Sequence, residues 1–279
     1  MSRIPAKFAA LRAEGRGALI PFLEAYDPDA DTSMAILHGM PGAGADLIEI
    51  GMPFTDPMAD GPTIQAAGRR GLLAGASLSR VLAMVQEFRA EDDATPVVLM
   101  GYLNPILAYD PARFCLDAAA AGVDGLIVVD LPTEEAALLS SHAAEHGLDI
   151  IRLVAPTTDS ARLPSVLQGC SGFVYYVSIT GVTGTRTASV DELAAAIPRI
   201  RAVTDLPIAV GFGVRSPEQA ASAVRVADGA VVASALIDTL AASLDTQGRA
   251  GPDTVRRVLD QVRNLAAAVR AVAKSEVTA

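Results

Sequence analysis

The sequence predicts a single-domain α/β fold, a (β/α)8 TIM barrel with extra N- and C-terminal helices. Three observations predict it. Eight short β-rich apolar runs recur along the chain, an alanine-rich stretch of helical period follows each, and no polar linker or composition break divides residues 1–279. Eight such units in roughly 250 residues is the size and rhythm of that barrel.

The elements follow in order. A first helix is expected at about 2–14, ahead of the opening strand Ala18–Leu23. The later strands are Asp46–Ile50, Val97–Tyr102, Gly125–Asp130, Asp149–Val154, Gly172–Ser178, Pro207–Gly211 and Gly229–Ala233. Helix starts carry local signals: Asp110-Pro111 after the third strand, Ser189 ahead of Asp191 and Glu192 after the sixth, and Ser216-Pro217-Glu218 after the seventh. Each places a capping oxygen before a proline or an acidic first turn. A last helix is expected at about 252–272, where Val255, Val258, Leu259, Val262, Leu265 and Val269 form one apolar face. A doubly wound open sheet is the alternative, but the first strand lacks the glycine fingerprint of a dinucleotide fold.

Composition narrows the function. A formal net charge of −10 argues against general nucleic-acid or anionic-membrane binding, which need a basic face. No apolar run reaches the roughly 18 residues of a membrane span, and no signal-peptide pattern opens the chain, so a soluble cytoplasmic enzyme is expected. Cys115 and Cys170 form no CxxC pair, so neither a disulfide framework nor a zinc knuckle is indicated. The only lysines are Lys7 and Lys274, and the only histidines, His38, His142 and His146, fall in helical stretches. Schiff-base chemistry and strand-end metal ligation therefore lack their usual residues.

One acid stands in an unusual place. In Asp46-Leu47-Ile48-Glu49-Ile50-Gly51 the alternation puts Ile48 and Ile50 on one face, towards the helices, and Leu47 and Glu49 on the other. Glu49 then points into the barrel at the strand's C-terminal end, where this fold carries catalytic groups. A carboxylate there is either paired, for instance with an arginine, or has a raised pKa, which suits a general acid. The following loop carries Asp60, which its Asp-Gly-Pro setting equally allows to be a turn-former or helix cap. Gly211-Phe212-Gly213 before one helix and Ala233-Ser234 before another form a candidate lysine-free phosphate site after strands seven and eight. The Gly181–Ala188 loop reads as a lid.

The run DLIEIGMPFTDPMADGPTIQ closely resembles the signature of tryptophan synthase α chains. PFLEAYDPD, GYLNPI, VVDLP, VYYVSITGVTG and VGFGVRSPEQ match in family order, so the resemblance covers nearly the whole chain. It implies retro-aldol cleavage of indole-3-glycerol phosphate to indole and glyceraldehyde 3-phosphate, with indole passed to a β subunit for tryptophan biosynthesis. Glu49 would be the acid/base, Asp60 the partner of the indole N–H, and Tyr175 the neighbour of the catalytic carboxylate. Phe22, Met100, Ile127, Leu153, Thr183 and Phe212 would bind substrate, and Gly184, Gly213, Ala233 and Ser234 its phosphate. Family members usually carry glycine at the position of Ala233, so either a φ > 0 backbone or a close phosphate approach would be disturbed here. The resemblance further implies an α2β2 complex, with Pro53, Asp56, Pro57 and Asn104 facing the β chain. No cofactor is expected in this chain, pyridoxal phosphate belonging to the β partner. A mainly regulatory subunit and a free-standing indole-3-glycerol phosphate lyase are the alternatives.

Overall fold

A computed structural model describes residues 1–177, 190–211 and 213–272. Parallel strands run around the sheet as β1 (Ala18–Glu24), β2 (Ile48–Gly51), β3 (Val97–Gly101), β4 (Gly125–Val128), β5 (Asp149–Ile150 and Arg152–Val154), β6 (Val174–Val177), β7 (Ile208–Gly211) and β8 (Gly229–Val232). Each pairs with its neighbour in sequence, and β1 pairs with β8. The fifth stave closes the ring in two parts: Asp149–Ile150 pairs with β4, and Arg152–Val154 with β6. Ile151, between them, still donates its N–H to Leu126 O of β4 at 3.0 Å, so the stave is locally bent rather than interrupted. The predicted barrel is therefore present, with strand ends within about two residues of the apolar runs.

Alternation along the strands sorts two apolar layers. Leu19, Leu23, Ile48, Ile50, Val97, Leu99 and Leu126 face outwards into one continuous cluster with the helices. Ala18, Ile20, Leu47, Val98, Ile127, Phe173, Tyr175, Ala209 and Val231 face inwards. The helix Ile4–Ala13 inserts Ile4, Phe8 and Leu11 into that interior cluster, with the Phe8 and Phe173 rings 5.8 Å apart. The N-terminal helix thus seals the barrel floor, a role its composition left open. At the other terminus, Thr254–Arg270 buries Val258, Leu259, Val262, Leu265 and Val269 against the helices Ala30–Ala43 and Pro217–Val226. Full burial of each such side chain stabilises by about 1.5–3 kcal/mol, which accounts for the strictness of the apolar spacing.

Acids at the strand entrances brace the floor. Buried Asp46 accepts from Leu19 N at 2.9 Å and from Arg16 at 2.8 Å. Asp124, also buried, accepts from Val97 N at 2.8 Å, from Arg3 N at 2.8 Å, and from the Arg3 and Arg89 guanidinium groups. Asp228 takes Ile208 N at 2.9 Å and Arg201 at 2.8 Å. Each carboxylate satisfies an N–H at the start of a neighbouring strand while an arginine balances its charge, so the acid becomes a structural tie.

Candidate functional site

The opposite, C-terminal end of the strands surrounds a cavity of about 550 Å3. Its wall is formed by Phe22, Ile64, Met100, Val214 and Val231, with Glu49, Asp60, Tyr175, Arg215 and Ser234 as the polar groups and Gly213 and Ala233 contributing backbone and methyl surface. A second cavity of about 350 Å3 shares Phe22, Asp60, Ile64 and Met100 and extends towards Phe54, Pro57 and Tyr102.

Glu49 sits where strand parity places it: inward on β2, in register with Phe22 of β1 and Val98 of β3, and 1% exposed. No arginine among the described residues pairs with it. Its Oε2 is buried without a hydrogen-bond partner among the described residues. Loss of hydration, reinforced by the nearby negative charge of Asp60, raises its pKa from 4.5 to about 8. At pH 7 such a group is protonated in about nine molecules of ten, so the cavity presents a carboxylic acid with a transferable proton.

Asp60 does not cap the helix that follows it. That helix, Pro62–Leu73, has Gly61 as its N-cap and no side-chain capping bond. The Asp60 carboxyl instead accepts from the Tyr102 phenol at 3.0 Å, and the same phenol oxygen accepts from Ala59 N at 3.0 Å. Gln65 Nε2 holds the Asp60 carbonyl at 2.8 Å, and the Phe54 ring stacks on Tyr102 at 5.4 Å, so the loop is fixed from both sides. Burial lifts the Asp60 pKa while the Tyr102 hydrogen bond opposes the lift by favouring the ionised form. Asp60 is thus the member of the site best able to hold a negative charge.

Tyr175 lies inward on β6, fully buried, its phenol held well above its ordinary pKa by burial and then by the charge of Glu49. It stays protonated and acts as a neutral polar wall. Its hydroxyl lies over Gly211: a Cβ there would approach it to 2.1 Å, which is why β7 ends in glycine. Gly213 has φ +90°, a left-handed backbone that makes the second glycine of the turn equally obligatory. Ala233 has φ −114°, well away from the left-handed region, so the position does not require glycine, and its methyl lines the cavity. Ser234 opens the helix Ser234–Ala241; Leu236 N and Ile237 N donate to the Ala233 carbonyl, which leaves the N–H groups of Ser234 and Ala235 to face an anion.

Of the expected substrate wall, Phe22 and Met100 line the cavity, while Ile127 and Leu153 belong to the interior apolar cluster with Phe173. Thr183, Gly184, Phe212 and the Gly181–Ala188 loop lie outside the described residues. Of the expected partner face, Asp56 and Asn104 are exposed and Pro53 and Pro57 half-buried.

Sequence reasoning passed over several residues. Ile64 and Val231 join the wall, the latter on the inward parity of β8. Tyr102 is the anchor of Asp60. Glu24 ends β1 on the face shared with Phe22, 4% exposed, with its carboxyl against the Cα atoms of Gly51 and Gly68. Burial raises its pKa well above normal, the charges of Asp60 and Asp27 add to that, and Arg70, itself paired with Asp27 at 2.6 and 2.8 Å, partly offsets it. The parity that located Glu49 would have found Glu24. Three neighbouring carboxyls cannot all ionise cheaply: burial disfavours the charge on all three, and Asp60 is the one whose ionised form a phenol donor favours.

Comparison with known proteins gives one answer throughout. A family model described as tryptophan synthase alpha chain matches residues 8–270. The chain is 73% identical over 270 residues to the tryptophan synthase alpha chain of Gluconacetobacter diazotrophicus, covering 97% of this chain and 98% of that one. It is 70% identical over 270 residues to that of Granulibacter bethesdensis, covering 97% of each. Among solved structures, the tryptophan synthase subunit alpha of Legionella pneumophila superposes with a TM-score of 0.89 at 37% identity, covering 98% of this chain and all of that one. A chain of Mycobacterium tuberculosis tryptophan synthase gives 0.86 at 38% identity, over 96% and 98% of the two chains.

Proposed function

This chain belongs to the tryptophan synthase alpha chain family, and on that premise we propose how its cavity carries out the lyase reaction. The chain has the role of an α subunit in tryptophan biosynthesis, cleaving indole-3-glycerol phosphate to indole and glyceraldehyde 3-phosphate. The observation that carries the mechanism is Glu49: a buried acid at a strand end, its Oε2 without a hydrogen-bond partner among the described residues and its pKa about 8, sharing one cavity with Asp60.

Cleavage of the bond between indole C3 and C3′ needs an electron sink, and the indole ring can become one. Protonated Glu49 delivers its proton to C3, giving a ring with an imine-like cationic nitrogen. The resulting Glu49 carboxylate then takes the proton of the C3′ hydroxyl. The C3′ oxygen forms the aldehyde carbonyl, the C3–C3′ bond breaks, and its electron pair restores the aromatic indole. One proton enters at C3 and one leaves from the hydroxyl, so Glu49 ends in its starting state. Asp60, ionised and fixed by Tyr102, accepts from the indole N–H and stabilises the charge developing there, a preorganised electrostatic role. Tyr175 is a neutral wall beside Glu49. Phe22, Met100, Ile64 and Val231 exclude water from the ring.

The phosphate would be held at Gly213 and Ser234, by backbone N–H groups and the Ser234 hydroxyl, as helix N-termini hold anions. Gly184 and Thr183, with Phe212, complete the reading on the family resemblance alone. The φ of Ala233, outside the left-handed region, removes the need for glycine that would have favoured a subunit with weakened catalysis.

An α chain implies a β-chain partner, and we assign an α2β2 complex in which pyridoxal phosphate resides in the β chain and none in this one. Pro53, Asp56 and Pro57 lie on the same loop as Asp60, and Asn104 follows Tyr102, so the proposed docking face is continuous with the Asp60 anchor. Met58, 80% exposed, and Leu107, 46% exposed, add apolar surface suited to a protein partner. We assign the chain a cytoplasmic site of action; no described helix is long and apolar enough to cross a membrane. The deciding experiment measures indole release from indole-3-glycerol phosphate with and without the β subunit. Release strongly enhanced by the β chain is expected. Equal, high activity without it would point to a free-standing lyase, and none in either case would overturn the catalytic reading.

A further inference from the structure

We infer that Arg215 is the cationic group that holds the substrate's phosphate, poised on Asp238 until the ligand arrives. The inference rests on the phosphate reading of Gly213 and Ser234 given above. The cavity is poor in positive charge: among the described residues lining it, two are acids and Arg215 is the only cation. Lys7 lies on the floor helix, at the other end of the barrel. A phosphate dianion entering beside Glu49 and Asp60 therefore gains its one visible charge balance from Arg215.

The placement is built rather than incidental. Arg215 follows the left-handed turn at Gly213 and immediately precedes the helix Pro217–Val226. Its backbone N–H donates to Gln219 Oε1 at 2.7 Å, inside a capping box in which Ser216 and Gln219 satisfy each other's backbone. The backbone is thus pinned while the side chain reaches across to pair with Asp238. Asp238 stands four residues after Ser234, one turn along the same helix face, so the guanidinium lies beside the helix end that offers N–H groups to an anion. Asp238 also accepts from Thr63 Oγ1 at 3.1 Å, tying this arrangement to the helix that follows Asp60.

The Arg215–Asp238 pair is about two-fifths exposed on both sides, and exposed pairs of this kind contribute little to stability. Exchange of Asp238 for a phosphate, which offers a guanidinium two parallel charge-assisted bonds, is correspondingly cheap. Arg215 would act as a binding residue that favours substrate and transition state alike, raising affinity more than turnover.

The test compares two probes, indole-3-propanol phosphate and the phosphate-free alcohol, by calorimetric titration of the intact chain, parent and variants. The parent is expected to prefer the phosphate ester by more than tenfold. Arg215→Ala and Arg215→Gln should each weaken the ester by about 10- to 30-fold, leave the alcohol within twofold, and raise KM for cleavage with kcat nearly unchanged. Arg215→Lys should recover part of the loss. An ester affinity within twofold of the parent in both neutral variants would overturn the inference while leaving the phosphate site standing. Equal weakening of ester and alcohol would also overturn it, as a general disturbance of the cavity. A parent that fails to prefer the ester would overturn the phosphate reading itself.

Discussion

Replacing Glu49 by glutamine separates chemistry from stability in one variant. Glutamine is close in shape to the protonated acid that the folded chain holds, but it has no proton to give. Indole release should fall by about a thousandfold, within the range for loss of a general acid/base. Stability should move the other way, and its pH dependence identifies the cause. The Glu49 pKa is 4.5 in its ordinary state and about 8 in the fold. Between those values the folded chain keeps a proton that the unfolded chain has released. The stability contribution is therefore complete below pH 4.5 and declines as pH rises, levelling off above 8. At ~1.4 kcal/mol per unit the full penalty approaches 5 kcal/mol, of which about 2–3 kcal/mol accrues between pH 6 and pH 9. Glu24 and Asp60 titrate in both proteins and largely cancel from the difference. Urea unfolding at the two pH values should show Glu49→Gln gaining about 2–3 kcal/mol on its parent from pH 6 to pH 9. The parent's kcat/KM for cleavage should fall above pH 8 or so as the acid form disappears. A variant less stable by the same amount at both pH values would refute the reasoning, because the carboxylate would then be a structural hydrogen-bonding group. Retained cleavage would refute it more directly.

Two further substitutions probe the supports of the site. Tyr102→Phe removes the donor that favours ionised Asp60, so the Asp60 pKa should rise and the low-pH limb of the cleavage profile should move to higher pH. At neutral pH indole release should drop by roughly tenfold, about the worth of one hydrogen bond to a charged group; an unshifted limb would mean that Asp60 ionisation is not required. Ala233→Gly should tighten indole-3-propanol phosphate severalfold by clearing a methyl from the cavity wall. Its stability should fall by no more than about 1 kcal/mol, through the greater freedom of glycine in the unfolded chain, since a φ of −114° lies outside the region that glycine alone favours. A gain of 1 kcal/mol or more in urea unfolding would contradict that backbone argument.

What could be read in the sequence was local. Strand parity needs only neighbouring residues, and it oriented Glu49 correctly because Ile48 and Ile50 must face the helices. The spacing of Val258, Leu259, Val262, Leu265 and Val269 defined the closing helix for the same reason. Asp60 was ambiguous because its decisive contact is 42 residues away in sequence, on Tyr102. Local grammar offered a capping acid before a proline helix, and Gly61 took that position instead. Glu24 is a different kind of miss: the alternation through Ile20 and Phe22 points it inwards, but it lies at the last residue of its strand, where an apolar run no longer draws attention. The floor helix was visible as a helix and not as a plug, since its aromatic contact with Phe173 depends on closure of the whole barrel.

Chemically similar groups serve opposite purposes at the two ends of this barrel, and the difference lies in their partners. Asp46, Asp124 and Asp228 each receive a strand N–H and at least one arginine, so their charges are neutralised where they stand. Those bonds commit each carboxylate to the backbone and to an arginine, which makes it a structural tie. Glu49 has neither kind of partner among the described residues, and its ionised form faces burial and the charge of Asp60 together. Its proton is consequently held in the neutral range and can leave when a reacting carbon offers a better site. The cost falls on stability, and the barrel meets it at the floor and in the two apolar layers, away from the cavity. A well-braced floor is therefore what allows a buried acid to persist at the top, and the catalysis proposed for Glu49 would depend on packing that never touches the substrate.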